Sequence, residues 1–491
     1  MANETFLGWV CEILQTKEGL VSFSTSVRSL PRQFRLVQAS LLQTPGLPFA
    51  DTLTEEMIAA AFAEENVTFA QGDDAIYTPA VTLWAFLGQV LFKEEQRSCV
   101  AAVSRVIVLL VSLGRKPCSD NTGAYCRARA KLSEPAMRRL TYEVAEGCEQ
   151  AVPDEWRWRG HRTFLVDGFT FSMPDTPENQ AAYPQPNTQP AGVGFPLARA
   201  VVLLSYATAM ASGLAIGPYS GKETGETALL RELLDQLRAG DVVVADRHFC
   251  SYFMICLLRA RGVHVVSRLH QRRTADFRRG KRLGPGDHLV HWRRPPRPDW
   301  MDEATYRQMP EVLSIREVEV AVPQPGFRTD VVVVVTTLLD SREYAREDLA
   351  ELYHQRWLAE LDIRAIKCSM GMDVLRSKSP EMVRIEMWAC LLAYNLIRRT
   401  ILQSALACDR SPRQISFTAA MQKIAAAWTQ GPLLDNGTAA ALLAIAWKHL
   451  AGHRVGHRPN RVEPRAVKRR PKPHDLLMVP RNEARAALLR N

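Results

Sequence analysis

Two short apolar stretches that end in an aspartate constrain the fold of this chain most strongly. Residues 163–168 read TFLVDG, and Asp241–Asp246 reads DVVVAD, so each is a β-prone run that closes with an acid. Burying an unpaired carboxylate is costly. We therefore expect Asp167 and Asp246 at the ends of their strands. There each carboxylate either belongs to a functional site or simply begins a solvent-exposed turn.

The stretches around these two strands supply the rest of an α/β domain. Two further strands and an amphipathic helix are predicted between the acids, and a helix and a strand after the second: Ala198–Tyr206, Leu214–Ile216, Glu226–Arg238, Phe249–Arg259 and Val263–Leu269. The resulting order is strand, strand, strand, helix, strand, helix, strand. This order predicts a layered α/β fold in which the two acid-ending strands are neighbours.

A third acid lies on a predicted helix over Ala350–Met370. At about 100° per residue, Tyr353, Arg356, Glu360 and Lys367 fall within about 60° of arc. A carboxylate among cations and a phenol suits a metal ion and a phosphate backbone. A solvated, salt-bridged helix face is the alternative interpretation.

The spacing of these four residues resembles the signature of DDE transposases of the insertion-sequence family four. In that signature two residues separate the tyrosine from the arginine, three separate the arginine from the glutamate, and six separate the glutamate from the lysine, as here. Asp-Gly at Asp167 and Asp-Arg at Asp246 also match the family pattern. The resemblance implies an RNase H-like mixed-sheet catalytic domain whose catalytic triad is Asp167, Asp246 and Glu360.

The chemistry of such a triad requires metal ions. Three carboxylates about 4 Å apart would repel by roughly 4 kcal/mol per pair at an effective dielectric of about 20. Hard oxygen ligands select Mg²⁺, with Mn²⁺ as a substitute, over zinc. Two such ions can activate an attacking hydroxyl and stabilise the leaving oxygen. We therefore predict that Asp167, Asp246 and Glu360 are the ligands of two Mg²⁺ ions.

The same resemblance assigns phosphate contacts to Tyr353, Arg356 and Lys367, near the end of the mobile element. Arg247, which directly follows the second aspartate, is also predicted to contact DNA.

Residues 270–338 predict a β insertion inside the catalytic domain, as relatives of this family carry. Those relatives free the element through a DNA hairpin, for which a base must leave the stack. Trp292, next to Arg293 and Arg294, is predicted to stack on that base and to project towards the triad. Trp300 is the second choice, and packing of either ring inside the insertion is the alternative.

The remaining parts of the chain flank the catalytic domain, which we place at residues 160–410. Residues 1–155 predict a helical DNA-binding domain, in which the short basic helix Ala124–Leu132 presents Arg127 and Lys131 to DNA. An amphipathic helix whose polar face contacts only solvent is the alternative to DNA binding. Residues 411–491 predict a helical segment and a basic tail.

Composition sets limits on partners and location. The net charge of +10 and the pI of about 9.2 predict a polyanionic partner. The ten cysteines are scattered, which favours a reducing cytosol and argues against a disulfide framework or a zinc site. The sequence shows no signal peptide and no bilayer-spanning run. We therefore expect a cytoplasmic, nucleoid-associated prokaryotic protein without a membrane partner.

Together these features predict a DNA transposase that binds double-stranded DNA, both element ends and target, as a homodimer. It would cut element ends and join them to target DNA, by cut-and-paste through a hairpin. Two alternatives are an RNase H-like nuclease without strand transfer and a catalytically silent DNA-binding regulator.

Overall fold

The computed structural model describes the chain from Leu53 onwards with several gaps. The described residues are 53–65, 67–70, 75–92, 94–112, 115–322, 331–430, 445–446, 448–455 and 475–490. The predictions for residues 1–52 and for most of the basic tail lie outside these ranges.

The centre of the molecule is one sheet of nine strands. In chain order they are β1 (Thr163–Ser172), β2 (Leu197–Ser205), β3 (Ala211–Pro218), β4 (Val242–Ala245), β5 (His264–Arg268), β6 (Lys281–Gly284), β7 (Asp287–Arg293), β8 (Val312–Ala321) and β9 (Val331–Thr336). The spatial order is β3-β2-β1-β4-β5-β9-β8-β7-β6. β1, β2 and β3 pair antiparallel, whereas β1, β4 and β5 run parallel. This arrangement of the first five strands confirms the RNase H-like mixed-sheet fold.

Helices cover both faces of this sheet. In chain order they are α1 (Glu55–Ala63), α2 (Pro79–Leu91), α3 (Cys99–Ser112), α4 (Gly123–Arg129), α5 (Glu134–Gln150), α6 (Pro177–Ala182), α7 (Glu226–Arg231), α8 (Tyr252–Ala260), α9 (Glu303–Gln308), α10 (Arg346–His354), α11 (Trp357–Arg364), α12 (Pro380–Ala407), α13 (Phe417–Gln430) and α14 (Arg481–Leu488). Within the described ranges, no helix is long and apolar enough to cross a membrane. The helix predicted over Glu226–Arg238 is shorter than expected, because α7 ends at Arg231 and a 3₁₀ turn follows.

The β insertion is an extension of the catalytic sheet. β9 pairs antiparallel with β5, and β8, β7 and β6 continue outwards from β9. The predicted β character of residues 270–338 is therefore correct. The sequence did not indicate that the insertion shares its hydrogen-bond ladder with the catalytic strands.

Two hydrophobic cores lie on opposite faces of the sheet. One contains the N-terminal helices, α11 and α12, while the other contains α7, α8 and the inner side of the insertion. The long helix α12 joins the N-terminal helices to the sheet, because the buried Asn395 side chain donates to the carbonyls of Thr141 on α5 and Ala211 on β3. The described N-terminal helices therefore share a core with the catalytic sheet.

The stretch that carries the third acid is not the single helix that its sequence predicts. α10 ends at His354, and the backbone tightens to i→i−3 hydrogen bonds, such as the 3.0 Å bond from Ala359 N–H to the Arg356 carbonyl. α11 follows, and after it Ala365–Ser369 forms one wide π turn. The chain therefore changes helical pitch twice between Tyr353 and Lys367, and the uniform 100° spacing does not hold.

Candidate active site

Asp167 and Asp246 lie side by side because of the register of two parallel strands. β1 pairs with β4 so that Val166 is opposite Ala245, and each acid is the next residue along its strand path. Neighbouring strands are about 4.8 Å apart. Side chains alternate between the faces of a sheet, and Leu165 and Val244, two residues before each acid, lie in the same core. Both carboxylates are thus directed to one face, as the sequence predicts.

Glu360 approaches the same face from α11. Its neighbours Ala359 and Ile363 are buried in the core that contains Leu165 and Val244. This packing fixes the helix over the ends of β1 and β4 and leaves the Glu360 carboxylate partly exposed beside the strand-end acids. All three predicted triad members are therefore placed on one face of the sheet.

Arg356 links two of the three acids. Its Nη2 donates to Glu360 Oε1 at 2.7 Å, and its Nη1 lies 3.6 Å from Asp167 Oδ2. The remaining acid, Asp246, accepts a hydrogen bond of 2.8 Å at Oδ1 from the backbone N–H of His248. One guanidinium therefore stands against three carboxylates, which leaves the cluster with excess negative charge.

The electrostatics of Asp167 reflect this crowding. The pKa of Asp167 is raised to about 6, chiefly by burial and also by the negative charges of Asp246 and Glu360. The backbone N–H of Gly168 and the guanidinium of Arg356 oppose this rise in pKa. Asp246 and Glu360 are thus close enough to disfavour the ionisation of Asp167, which is the condition that a bound cation relieves.

The donor set fits a divalent metal, although its present arrangement favours Arg356. Among the described residues, no three acidic, cysteine or histidine side chains already stand in a metal-binding arrangement. The guanidinium lies between Asp167 and Glu360 and neutralises them. Carboxylate oxygens are the ligands that Mg²⁺ prefers. A metal ion shared by Asp167 and Glu360 would therefore compete with the Arg356 guanidinium.

Comparisons with known proteins agree with this geometry. Residues 158–396 match the family described as "Transposase DDE domain". The chain is 27% identical over 386 residues to transposase InsG of insertion sequence element IS4 from Escherichia coli K12, covering 77% of this chain and 81% of that protein. Together, the matched domain and this relative support a DDE transposase of the IS4 family. Enzymes of this class depend in general on divalent metal ions.

Two further matches either cover a shorter part of the chain or have a lower sequence identity. The transposase of insertion sequence element IS421 from Escherichia coli is 38% identical over 81 residues, which is 16% of this chain and 21% of that protein. The solved piggyBac transposase synaptic complex with hairpin DNA matches with a TM-score of 0.40 and 12% identity, covering 86% of each chain.

The other signature residues of the transposase have different surroundings. Tyr353 is partly buried, and its pKa is raised to about 12, chiefly by burial and also by Asp246, against the opposing effect of Arg356 and Arg268. Lys367 lies on the π turn, is partly exposed and forms no salt bridge within the described ranges. Arg247 is partly buried in the turn after Asp246.

A fourth carboxylate, Glu226, approaches the site from the opposite face of the sheet. It begins α7, and its side chain lies against Gly168, where an added Cβ would come within 2.5 Å of Glu226 Oε1. Burial raises the pKa of Glu226, Arg199 opposes this, and Asp246 adds to the rise. The glycine after Asp167 therefore makes room for Glu226. The Asp-Gly pair is the sequence signal that could have revealed this neighbour.

The prediction that Trp292 projects towards the triad is wrong. Trp292 is 6% exposed and packs in the core under the insertion, where its Nε1 donates to Glu317 Oε1 at 3.1 Å. The register of β7 with β8 places Trp292 opposite the fully buried Leu313, so the ring faces the core. Trp300 is partly buried beside Phe253, with the Arg231 guanidinium 3.9 Å from its ring. Both rings serve packing.

The basic N-terminal helix is shorter than predicted. α4 ends at Arg129, so Lys131 lies in the turn after it, and the expectation that this helix carries Lys131 together with Arg127 is wrong. Lys131 Nζ donates to the Thr68 carbonyl at 2.9 Å. Arg127 remains exposed on the helix.

Proposed function

We propose that this transposase cleaves the ends of its insertion sequence and joins them to target DNA with Asp167, Asp246 and Glu360 as catalytic metal ligands. The register that sets Asp167 beside Asp246, with Glu360 on the same face, carries this proposal. Two bound Mg²⁺ ions, for which Mn²⁺ can substitute, would supply Lewis acidity at the attacking and leaving oxygens. The three carboxylates hold the site, and water or a 3′-hydroxyl is the nucleophile.

Arg356 has two roles in this proposal. Without metal it neutralises Asp167 and Glu360 through the contacts at 3.6 and 2.7 Å. Once a metal replaces it, the guanidinium is free to donate to a DNA phosphate. Lys367 and Arg247 add cations at the same rim, and Tyr353 orients Arg356 through its neighbouring phenol. These four side chains position the strand, and the carboxylates perform the chemistry.

The partners follow from the same assignment. We place DNA-end binding in the helical region within residues 1–155, with Arg127 as an exposed contact, and the chemistry in residues 160–410. Residues 411–491 contribute a helix and basic residues. A homodimer would bring two element ends together, and a hairpin at the element end would release it. Such a protein would work in the cytoplasm of a prokaryote, on the nucleoid.

Three assays on the purified chain test the proposal. The first measures Mg²⁺-dependent nicking of a duplex that carries the inverted repeat flanking the gene. The second measures joining of the nicked end to a supercoiled plasmid, and the third measures DNA binding. Wild-type protein should nick and join, while Asp167→Asn, Asp246→Asn and Glu360→Gln should bind DNA and do neither.

Each alternative gives a different result. Nicking without joining would identify a nuclease, and binding without nicking a regulator. Full nicking by any one of the three variants would overturn the ligand assignment. Arg259→Gln, a loss of charge at the far end of α8, is the matched control and should retain all three activities.

A further inference from the structure

A cleft of about 750 Å³ lies between the N-terminal helices and the start of α12. We call it the α2–α12 cleft. One wall consists of residues from α2, the segment before α3 and the end of α4, and the other consists of the starts of α6 and α12. We propose that this cleft binds the phosphate backbone of the element-end DNA, about five nucleotides from the cut. This inference rests on the proposed function and extends it to a second contact site.

The charge of the cleft favours an anion. Its lining includes four cations and two carboxylates, a net charge of +2: Arg97, Arg129, Arg376, Lys378, Glu178 and Glu386. Glu386 is fully engaged inside the protein, because it accepts from the Arg97 guanidinium and from the backbone N–H groups of Arg376 and Ser377. Arg97 is likewise engaged, since it also donates to the Gly371 carbonyl at 2.9 Å. Arg97 and Glu386 therefore stabilise the wall of the cleft, and their charged groups are not available to a ligand.

The Arg129 side chain has a fixed orientation at the edge of this wall. The buried Gln89 side chain accepts from Arg129 Nη1 at 3.1 Å and from the Tyr125 hydroxyl at 2.8 Å, and the guanidinium lies 5.3 Å from the Phe86 ring. Arg129 Nε is buried and has no hydrogen-bond partner within the described part of the chain. Since that N–H is itself enclosed, the other N–H groups of this oriented guanidinium are the ones suited to a phosphate oxygen.

Arg376 and Lys378 supply the opposite wall. Both side chains are exposed, and neither forms an ion pair with a described residue. Their backbone is fixed, because Thr176 Oγ1 donates to the Lys378 carbonyl at 2.9 Å and Asn179 Nδ2 donates to the Ser377 carbonyl at 3.3 Å. Lysine and arginine side chains with unpaired charged groups on a fixed backbone are usual contacts of a DNA phosphate backbone.

The distance from the triad to the cleft can be estimated along strand β1. β1 continues five residues beyond Asp167 to Ser172, whose N–H and carbonyl bind Asp373 and Leu375 at 2.9 Å each, directly before Arg376. Five strand residues span about 17 Å. Each nucleotide of a duplex strand advances about 3.4 Å along the axis. A strand with its cut site at Asp167 would thus present its backbone to the cleft about five nucleotides away.

The test compares two double variants on the uncut element-end duplex. Arg376→Gln with Lys378→Gln should weaken binding and reduce the slope of log affinity against log salt by about two. Arg259→Gln with Arg261→Gln removes the same charge at the opposite edge of the sheet, near the start of β4, and should leave the slope unchanged. Thermal unfolding midpoints of both variants should lie close to that of the wild type, since all four side chains are exposed and the ion pair that the control loses, Arg261 with Asp235 at 3.1 Å, lies at the surface.

Phosphate ethylation interference locates the contact. In wild-type protein, ethylation about five nucleotides from the cut should prevent binding, and this interference should disappear in the Arg376/Lys378 variant. An unchanged salt slope, or interference only on target DNA during joining, would overturn the inference. If wild-type protein neither binds nor cuts the element end, the proposed function itself fails, which is a distinguishable result.

Discussion

The strand-end acids and the core of the insertion both bring opposite charges together, but only the insertion pairs them completely. There Arg316 donates to both oxygens of Asp287, at 2.9 and 2.6 Å, and all of these side chains are buried. Glu317 accepts from Trp292 at 3.1 Å and lies 3.0 Å from the His288 ring. The triad, by contrast, has one guanidinium for three carboxylates. Complete pairing stabilises a fold, whereas residual negative charge provides a place for a cation.

The largest expected effect comes from breaking the complete pair. Asp287→Asn leaves Arg316 buried without its counter-charge and should lower the free energy of unfolding by about 3–5 kcal/mol. Asp246→Asn is the matched change at the triad. It relieves repulsion and should leave stability equal or slightly higher, while nicking is lost. Urea denaturation measures both, and an equal loss of stability in the two variants would contradict the comparison.

A smaller loss is expected from Trp292→Phe, which keeps a ring in the core but removes the hydrogen bond to Glu317. The free energy of unfolding should fall by about 1–3 kcal/mol. The rates of nicking and hairpin formation should stay at the wild-type level, because the ring does not face the triad. Trp300→Phe serves as the control and should cost less. Hairpin formation slowed by Trp292→Phe alone, at normal stability, would reinstate the base-stacking role.

The phosphate contacts at the triad rim should show in the salt dependence of DNA binding. Arg356→Ala and Lys367→Ala should each lower the salt slope by about one unit, whatever the DNA sequence. Arg356→Ala should in addition strengthen the repulsion among the acids, since it removes their only guanidinium partner within the described residues. Filter binding over a range of salt concentrations provides the measurement. An unchanged slope for both variants would show that this helix face is merely solvated.

The smallest effect concerns acid stability at the junction of α5 and α12. Burial tends to raise the pKa of Glu134, but hydrogen bonds from Arg384 outweigh it, so the pKa is lowered. The stabilisation is therefore present above the ordinary Glu pKa of about 4.3 and is lost as pH falls through the lowered folded value. Glu134→Gln should be less stable than wild type at pH 7, with the difference shrinking as the solution is acidified.

Glu149 provides a control of opposite sign for the same titration. Burial raises its pKa, and the nearby Ser205 hydroxyl, Arg162 and Arg157 offset this rise only in part. Its ionised form is therefore disfavoured in the fold, so Glu149→Gln should gain stability relative to wild type as pH rises above the ordinary Glu pKa. Thermal unfolding followed across pH would detect both trends. Parallel pH dependence in the two variants would refute the assigned causes.

The sequence by itself determined the strands of the catalytic sheet and the two acids at their ends, and its resemblance to the DDE signature named Glu360 as the third acid. Apolar runs of β-prone residues fix where strands lie, and the costs of burying charge place Asp167 and Asp246 at their ends. Local pattern was sufficient for these features because each depends on the properties of consecutive residues.

Tertiary structure alone decided how the third acid and the aromatic rings are used. The backbone around Glu360 changes pitch at Arg356 and again at Ala365, so the uniform helix that the sequence predicts does not form. Trp292 is directed inwards by its pairing with Leu313, and Glu226 reaches Gly168 from a different element. A side chain's face and neighbours depend on which distant strand or helix lies beside it, and this information is not contained in the residues next to it along the chain.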